Sequence, residues 1–199
     1  GLGDVYKRQL FFSFTTDPLL PETMELTAQG VKTCVENGVN VKVLTKRADF
    51  IDNFFGLLAS YGNFDEEQYR EYTAFGFTLT GHDELERGAS SNIERISAME
   101  ELHNRGYRIF ASIEPIVDFP SSMQMINSSL PFCDLYKIGL MSGNGVTYDP
   151  VEAHTFLSEL QQLPGQPKIY LKNSLVRFLG VDRKILPENF VESNYNMFG

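Results

Sequence analysis

Tryptophan is absent from this 199-residue chain, histidine occurs three times and cysteine twice. Cys34 and Cys133 stand far apart, so they offer neither a disulfide framework nor a metal-ligand spacing. Long hydrophobic runs are missing as well. The apolar stretches fall well short of the roughly 20 residues that span a bilayer, and no basic start followed by an apolar stretch signals secretion. These features predict a cytoplasmic protein with no membrane partner. Positive charge is scarce: 17 Lys and Arg face 26 Asp and Glu, for a net charge of −9. That balance disfavours a nucleic-acid partner, because phosphate binding takes clustered Lys and Arg. No G-x-G-x-x-G follows a strand, which argues against a dinucleotide-binding fold.

What is present is an ordinary globular composition, 42% hydrophobic and 22% charged, enough for one domain with a real core. Residues 1–9 have neither helix nor strand periodicity and resemble translated adapter sequence, the alternative being a native linker. They are set apart as a non-native or linker segment, with native sequence expected to start near Leu10 and an unknown length upstream. From there apolar runs recur at roughly 30-residue intervals with helical patterns between them. Strands are expected at 10–15, 39–45, 74–80, 108–114, 135–141 and 168–172. Helices are expected at 22–36, 48–60, from the Ser91-Asn92-Ile93-Glu94 capping box, at 121–130, and at 150–163. In the helix opened by that capping box Ile93, Ile96, Met99 and Leu102 are expected to face inward. Strands separated by helices imply right-handed βαβ units and a parallel sheet. The fold expected is α/β, a partial parallel (β/α) barrel of about six units over residues 10–186, with an irregular tail at 187–199.

In parallel α/β architectures chemistry gathers at the C-terminal ends of the strands. Here those ends read Thr15-Thr16-Asp17-Pro18, Thr45-Lys46-Arg47, Thr80-Gly81-His82-Asp83, Glu114-Pro115, Ser142-Gly143-Asn144 and Lys172-Asn173. Each residue alone also reads as an ordinary polar loop or cap. Six consecutive polar ends, with Lys46, Glu114 and Lys172 among them, point to a site.

Several segments resemble one family in order. Ser13-Phe14-Thr15-Thr16-Asp17-Pro18-Leu19-Leu20-Pro21-Glu22 is similar to the T-D-P-Y-x-P-x-E segment of radical S-adenosylmethionine (SAM) proteins related to spore photoproduct lyase. Val43-Leu44-Thr45-Lys46-Arg47 resembles that group's strand ending in T-K-S. Phe77-Thr78-Leu79-Thr80, then Glu86, Arg95 and Gly106, resembles its strand followed by a Glu, an Arg and a helix-ending Gly. Ser112-Ile113-Glu114-Pro115-Ile116-Val117 is similar to its small-apolar-Pro-Ile strand.

The resemblance implies a barrel holding a 4Fe-4S cluster through C-x-x-x-C-x-x-C, at which SAM is cleaved to start radical chemistry on an unknown substrate. That cysteine motif is absent from the 199 residues. SAM's amino acid moiety needs an acceptor and a cation. Thr16 with Asp17 suits the first and Lys46 the second, with Arg95 assisting and Thr78 or Thr80 bonding ribose or carboxylate. Asp17 reads equally as a turn-forming residue before Pro, Lys46 as a solvated strand-end charge and Arg95 as a helix-surface residue. Two other readings stay open. One is a conventional barrel hydrolase or lyase with Glu114 as catalytic acid or base, Lys46 or Lys172 as electrostatic partner, and Asp17 or Asp83 as second carboxylate. The other is a non-catalytic binding module derived from a barrel. Cys34 and Cys133 read as small buried hydrophobes, His82 as a loop residue without a partner, His103 and His154 as surface groups, and Phe110 and Tyr136 as core.

Overall fold

A computed structural model describes residues 9–12, 16–141 and 147–199. Most of the 1–9 segment, Thr15 and the Ser142-Gly143-Asn144 strand end therefore lie outside the described residues. Six strands run parallel in one sheet: β1 (Gln9–Phe12), β2 (Asn40–Thr45), β3 (Thr73–Thr78), β4 (Arg108–Ile116), β5 (Leu135–Leu140) and β6 (Lys168–Leu171). Their spatial order follows the chain from β1 to β6 without a reversal. A doubly wound sheet would show a switch point; this order is that of a partial βα barrel. The helices between strands are α1 (Met24–Glu36), α2 (Ile51–Ser60), α3 (Glu66–Tyr72), α4 (Asn92–Asn104), α5 (Phe119–Ser129) and α6 (Pro150–Gln161), and α7 (Asn173–Leu179) follows β6. None is long and apolar enough to cross a membrane.

The strands read as near-continuous apolar runs because both faces are covered; all six positions of β3 are buried. Alternate residues divide between two cores. Val41, Val43, Phe75, Phe77, Ile109, Ile113, Tyr136 and Ile138 pack with the helices in the larger one. Ala74, Phe110 and Leu135 turn to the opposite face, where Met197 joins them. That face is concave. In a flat sheet the axes of β1 and β5 would lie about 19 Å apart at ~4.8 Å per strand, yet Lys137 Nζ on β5 is 4.9 Å from the ring centre of Phe11 on β1. The Phe11 and Phe110 rings also meet across β2 and β3, 6.3 Å apart. Only a tightly curled sheet brings these side chains together. Gly76 makes room for the curl: a Cβ there would stand 2.1 Å from the Phe110 ring.

The tail has a packing role. Phe190 bridges Ile169 in parallel, and Val191 N–H donates to Ile169 O at 2.8 Å. The chain then passes under the concave face, where Met197 is buried and the Phe198 ring faces Lys42 and Arg108.

Several local expectations need correction. β1 already starts at Gln9, which pairs with Asn40. The helices α3 and α7 have no counterpart among the expected elements; both are seven residues long, too short for a clear apolar period. In α4 the capping box forms as read, Ser91 and Glu94 bonding reciprocally, but its inward face is rotated. Ile93 is 77% exposed while Arg95 is fully buried, the inner stripe being Asn92, Arg95, Ala98, Met99 and Leu102. The apolar pattern misleads because a charged residue occupies an inner slot, where its partners satisfy it. Cys133 is buried and Cys34 half-buried.

The curl makes two glycines respond oppositely to one added methyl group. Gly76→Ala forces a Cβ into the Phe110 ring and should destabilise by about 1–3 kcal/mol. Gly56, exposed in α2 with nothing within 4 Å of a built Cβ, should gain roughly 0.5–1 kcal/mol as Ala. Thermal melts of the two variants check this; equal melting temperatures would refute the account of the curl.

Candidate functional site at the strand ends

The rim is organised by one buried cation. Arg95 reaches from α4 to the end of β3 and spends its donors on Ser90 O (2.9 Å), Thr78 O (2.6 Å) and Glu86 Oε2 (2.6 Å). It is no surface residue, because a guanidinium can be buried when every fork of its donor set is filled. Glu86, on the loop after β3, is itself nearly buried. It accepts also from Thr80 Oγ1 at 2.9 Å, and its Oε1 lies 2.7 Å from Lys46 Nζ. Burial would raise the Glu86 carboxyl, but Arg95 and Lys46 outweigh it and hold the group below the usual carboxylate range. Glu86 Oε1 is buried, with the Lys46 ammonium as its one charged neighbour among the described residues. The Lys46 side chain is 45% exposed.

Asp17 stands beside Lys46 and is fully engaged. Its carboxylate accepts from Leu19 N (3.0 Å), Thr45 Oγ1 (2.7 Å) and Lys46 N (2.7 Å). It is thus both the turn-forming residue before Pro18 and the clasp joining the loop after β1 to the end of β2. Thr16 is exposed. Thr78 is buried at the end of β3, its carbonyl held by Arg95. Thr80 has its N–H on Asn92 Oδ1 and its hydroxyl on Glu86. Of the residues read as cofactor-binding, Asp17, Lys46, Thr80 and Arg95 thus join one network at one rim, with Glu86 at its centre.

Glu114 lies further along the rim, ion-paired with Lys172. Gly139 gives the pair its room: a Cβ there would sit 3.0 Å from both Glu114 Oε1 and Lys172 Cδ. Asp83 is committed to Asn92, from which it accepts backbone and side-chain N–H at 2.7 and 2.6 Å. Glu114 therefore has a cation beside it, while Asp17 and Asp83 are both occupied elsewhere.

Two groups escape sequence reasoning as site residues. Glu86 is visible only through the family resemblance. His82 is not a partnerless loop residue: its Nδ1 meets Glu84 Oε1 at 2.7 Å and its Nε2 meets Asp118 Oδ2 at 2.6 Å. Asp118 caps α5 through Ser121 N at 2.7 Å. Partners 36 positions apart leave no local signal. Hydrogen bonds to Glu84 and then Asp118 raise the His82 pKa above its ordinary value.

A further groove of about 670 Å³ lies between α5 and α6, walled by Phe119, Met123, Val151 and Phe156. Among the described residues its charged walls are Glu152 and Glu159 alone, so the convergent chemistry belongs to the strand ends. Compared with protein-family models, with curated proteins and with solved structures, the chain matches none at a significant level.

Two measurements test the rim. Arg95→Met strips a buried carboxylate of its main cation and should cost about 3–5 kcal/mol in thermal or urea unfolding; a loss below about 1 kcal/mol would show that the pair is not structural. A raised His pKa adds stability that is fully present below about pH 6.5 and disappears as pH rises through the folded value. The melting-temperature gap between wild type and His82→Gln should therefore narrow from about pH 5.5 to about 8.5. A gap independent of pH would remove the His82 pairing.

Proposed function

We propose that this chain forms the SAM-binding rim of a radical SAM enzyme similar to the spore photoproduct lyase group, acting on an unidentified substrate. The observation that supports this is the ion pair of Lys46 Nζ with Glu86 Oε1 at 2.7 Å, a nearly buried carboxylate beside a half-exposed ammonium at the strand ends. An α-amino acid carries an ammonium and a carboxylate on neighbouring atoms. Glu86 would accept from the first and Lys46 would donate to the second, both as charge-assisted bonds. Asp17, expected to take the ammonium, instead orients Lys46 through the Lys46 backbone N–H. Thr80 and Arg95 fix the Glu86 carboxylate, so no rotamer freedom is lost when a ligand arrives.

When bound, SAM would supply radical chemistry, while Glu86 and Lys46 would hold its amino acid moiety and Arg95 and Thr80 would orient Glu86. The 4Fe-4S cluster does not fit the residues of this chain. Cluster ligands are thiolates. Burial pushes the Cys133 thiol up to about 12 and also raises Cys34, and the two sit on different elements. The cluster ligands of the proposed enzyme would therefore come from outside these 199 residues.

The Glu114–Lys172 pair favours a second reading, a barrel hydrolase or lyase using Glu114 as acid or base. General acid–base work by two carboxylates needs a free partner, and Asp17 and Asp83 are both hydrogen-bonded elsewhere. This weakens it.

SAM titration by calorimetry distinguishes the readings. Lys46→Ala should weaken SAM binding tenfold to a hundredfold, the effect of losing a charge-assisted bond worth about 1.5–3 kcal/mol, with little change in melting temperature. Unchanged affinity would take SAM away from this rim. Anaerobic reconstitution of the chain should leave no stoichiometric iron, and four irons per chain would overturn the assignment of the cluster ligands elsewhere.

A further inference from the structure

The concave face below the rim carries charge opposite in sign to the protein as a whole. Lys42 on β2, Lys137 on β5 and Lys172 after β6 all project there from a chain of net charge −9. Lys172 is answered by Glu114. The other two are not: among the described residues, neither the Lys42 nor the Lys137 ammonium has a hydrogen bond or an ion pair. Lys42 is only 4% exposed. Aromatic rings face both, Phe11 and Phe110 at 4.9 and 4.7 Å from Lys137, and Phe198 at 5.9 Å from Lys42. Ring faces attract an ammonium but leave its three N–H donors without an acceptor. Burial, and then each one's cationic neighbour, lowers both lysines to about 8. A buried charge needs a counter-charge or it discharges.

Both lysines line one cavity of about 170 Å³, enclosed by Gln9, Phe11, Leu135, Tyr170 and tail residues 192–195. The Ser193, Asn194, Tyr170 and Tyr195 side chains belong to residue types that donate hydrogen bonds. Among the described residues Glu192 is the one carboxylate residue on its wall; that side chain is 66% exposed and lies 4.0 Å from Arg183. The volume is well below the roughly 300–1,000 Å³ of pockets for drug-sized ligands, which restricts an occupant to a small molecule or a single moiety.

We propose that this cavity is an oxyanion site, binding a phosphate or small dicarboxylate between Lys42 and Lys137 with the C-terminal tail as its floor. A dianion neutralises the two ammonium groups together and supplies acceptors to donors that have none among the described residues. Binding also ties the tail to β2 and β5, so occupancy stabilises the lower half of the sheet. The site lies on other residues than Glu86 and Lys46 and does not rest on the SAM reading.

The test uses the 199-residue chain with inorganic phosphate and, in a parallel arm, succinate, each against sodium chloride of matched ionic strength. Phosphate or succinate should raise the melting temperature in a saturable way, and the better of the two identifies the head group. Lys42→Met removes a buried charge and Lys137→Met a half-buried one, neither with an ion pair among the described residues. Each should melt higher than wild type without anion and lose at least tenfold in anion affinity. Affinity should fall as pH rises above about 8, where the lysines discharge; the groups facing them are Lys172, Glu114, Glu192, Tyr170 and Tyr195. If a Met variant fails to fold, a phosphorus-31 titration of wild type from about pH 7 to about 9.5 decides the same question, because binding must weaken across that range. No saturable stabilisation by either anion, or unaltered affinity in both variants, overturns the proposal. So does stoichiometric trapping of Lys137 by a small aldehyde and borohydride that phosphate fails to block, since the amine would then be a neutral nucleophile.

Discussion

The rim depends on a guanidinium buried where the helix pattern calls for an apolar residue. Arg95 fastens α4 to the last carbonyl of β3, to the loop at Ser90 and to Glu86. Ser90 in turn receives Ala48 N–H on its hydroxyl and donates its own N–H to Lys46 O. The ends of β2 and β3 and the start of α4 are thereby one hydrogen-bonded unit. Desolvating this cation is tolerable only because all its partners are in place. The same partners pre-set Glu86, which holds the half-exposed Lys46 ammonium by an ion pair.

A second constraint is curvature. Six parallel strands in chain order, each followed by a helix on the same side, close toward themselves because every crossover has the same hand. The inner face then has room for little more than side chains, and small residues stand where large ones must enter: Gly76 under Phe110, and Gly139 under the Glu114–Lys172 pair. Layers follow along the strands. Met197 and Phe198 fill the N-terminal end, Phe11, Phe110 and Lys137 the middle, and Glu114 with Lys172 the C-terminal end.

This layering explains how an acidic protein holds a cationic interior. Its acidic residues lie mainly on helix surfaces and loops, where water screens them. Lysines on the concave face meet few counter-charges because most remaining inner positions are apolar or aromatic. The tail completes the enclosure from below, so a stretch without regular structure has a structural task.

The sequence by itself determined the βα rhythm, the six strands to within a few residues and the α4 capping box, since these follow from local periodicity and cap chemistry. It also determined that polar residues gather at the strand ends. Tertiary structure alone decided which of them join. Asp17 and Lys46 meet through a backbone N–H, His82 finds Asp118 across 36 positions, and Arg95 turns inward because Glu86 and two carbonyls await it. The concave lysines are invisible in the sequence for the same reason. In β2 and β5 a lysine among apolar residues reads as the solvent face of a strand, and only the curl of the sheet turns that face into an interior.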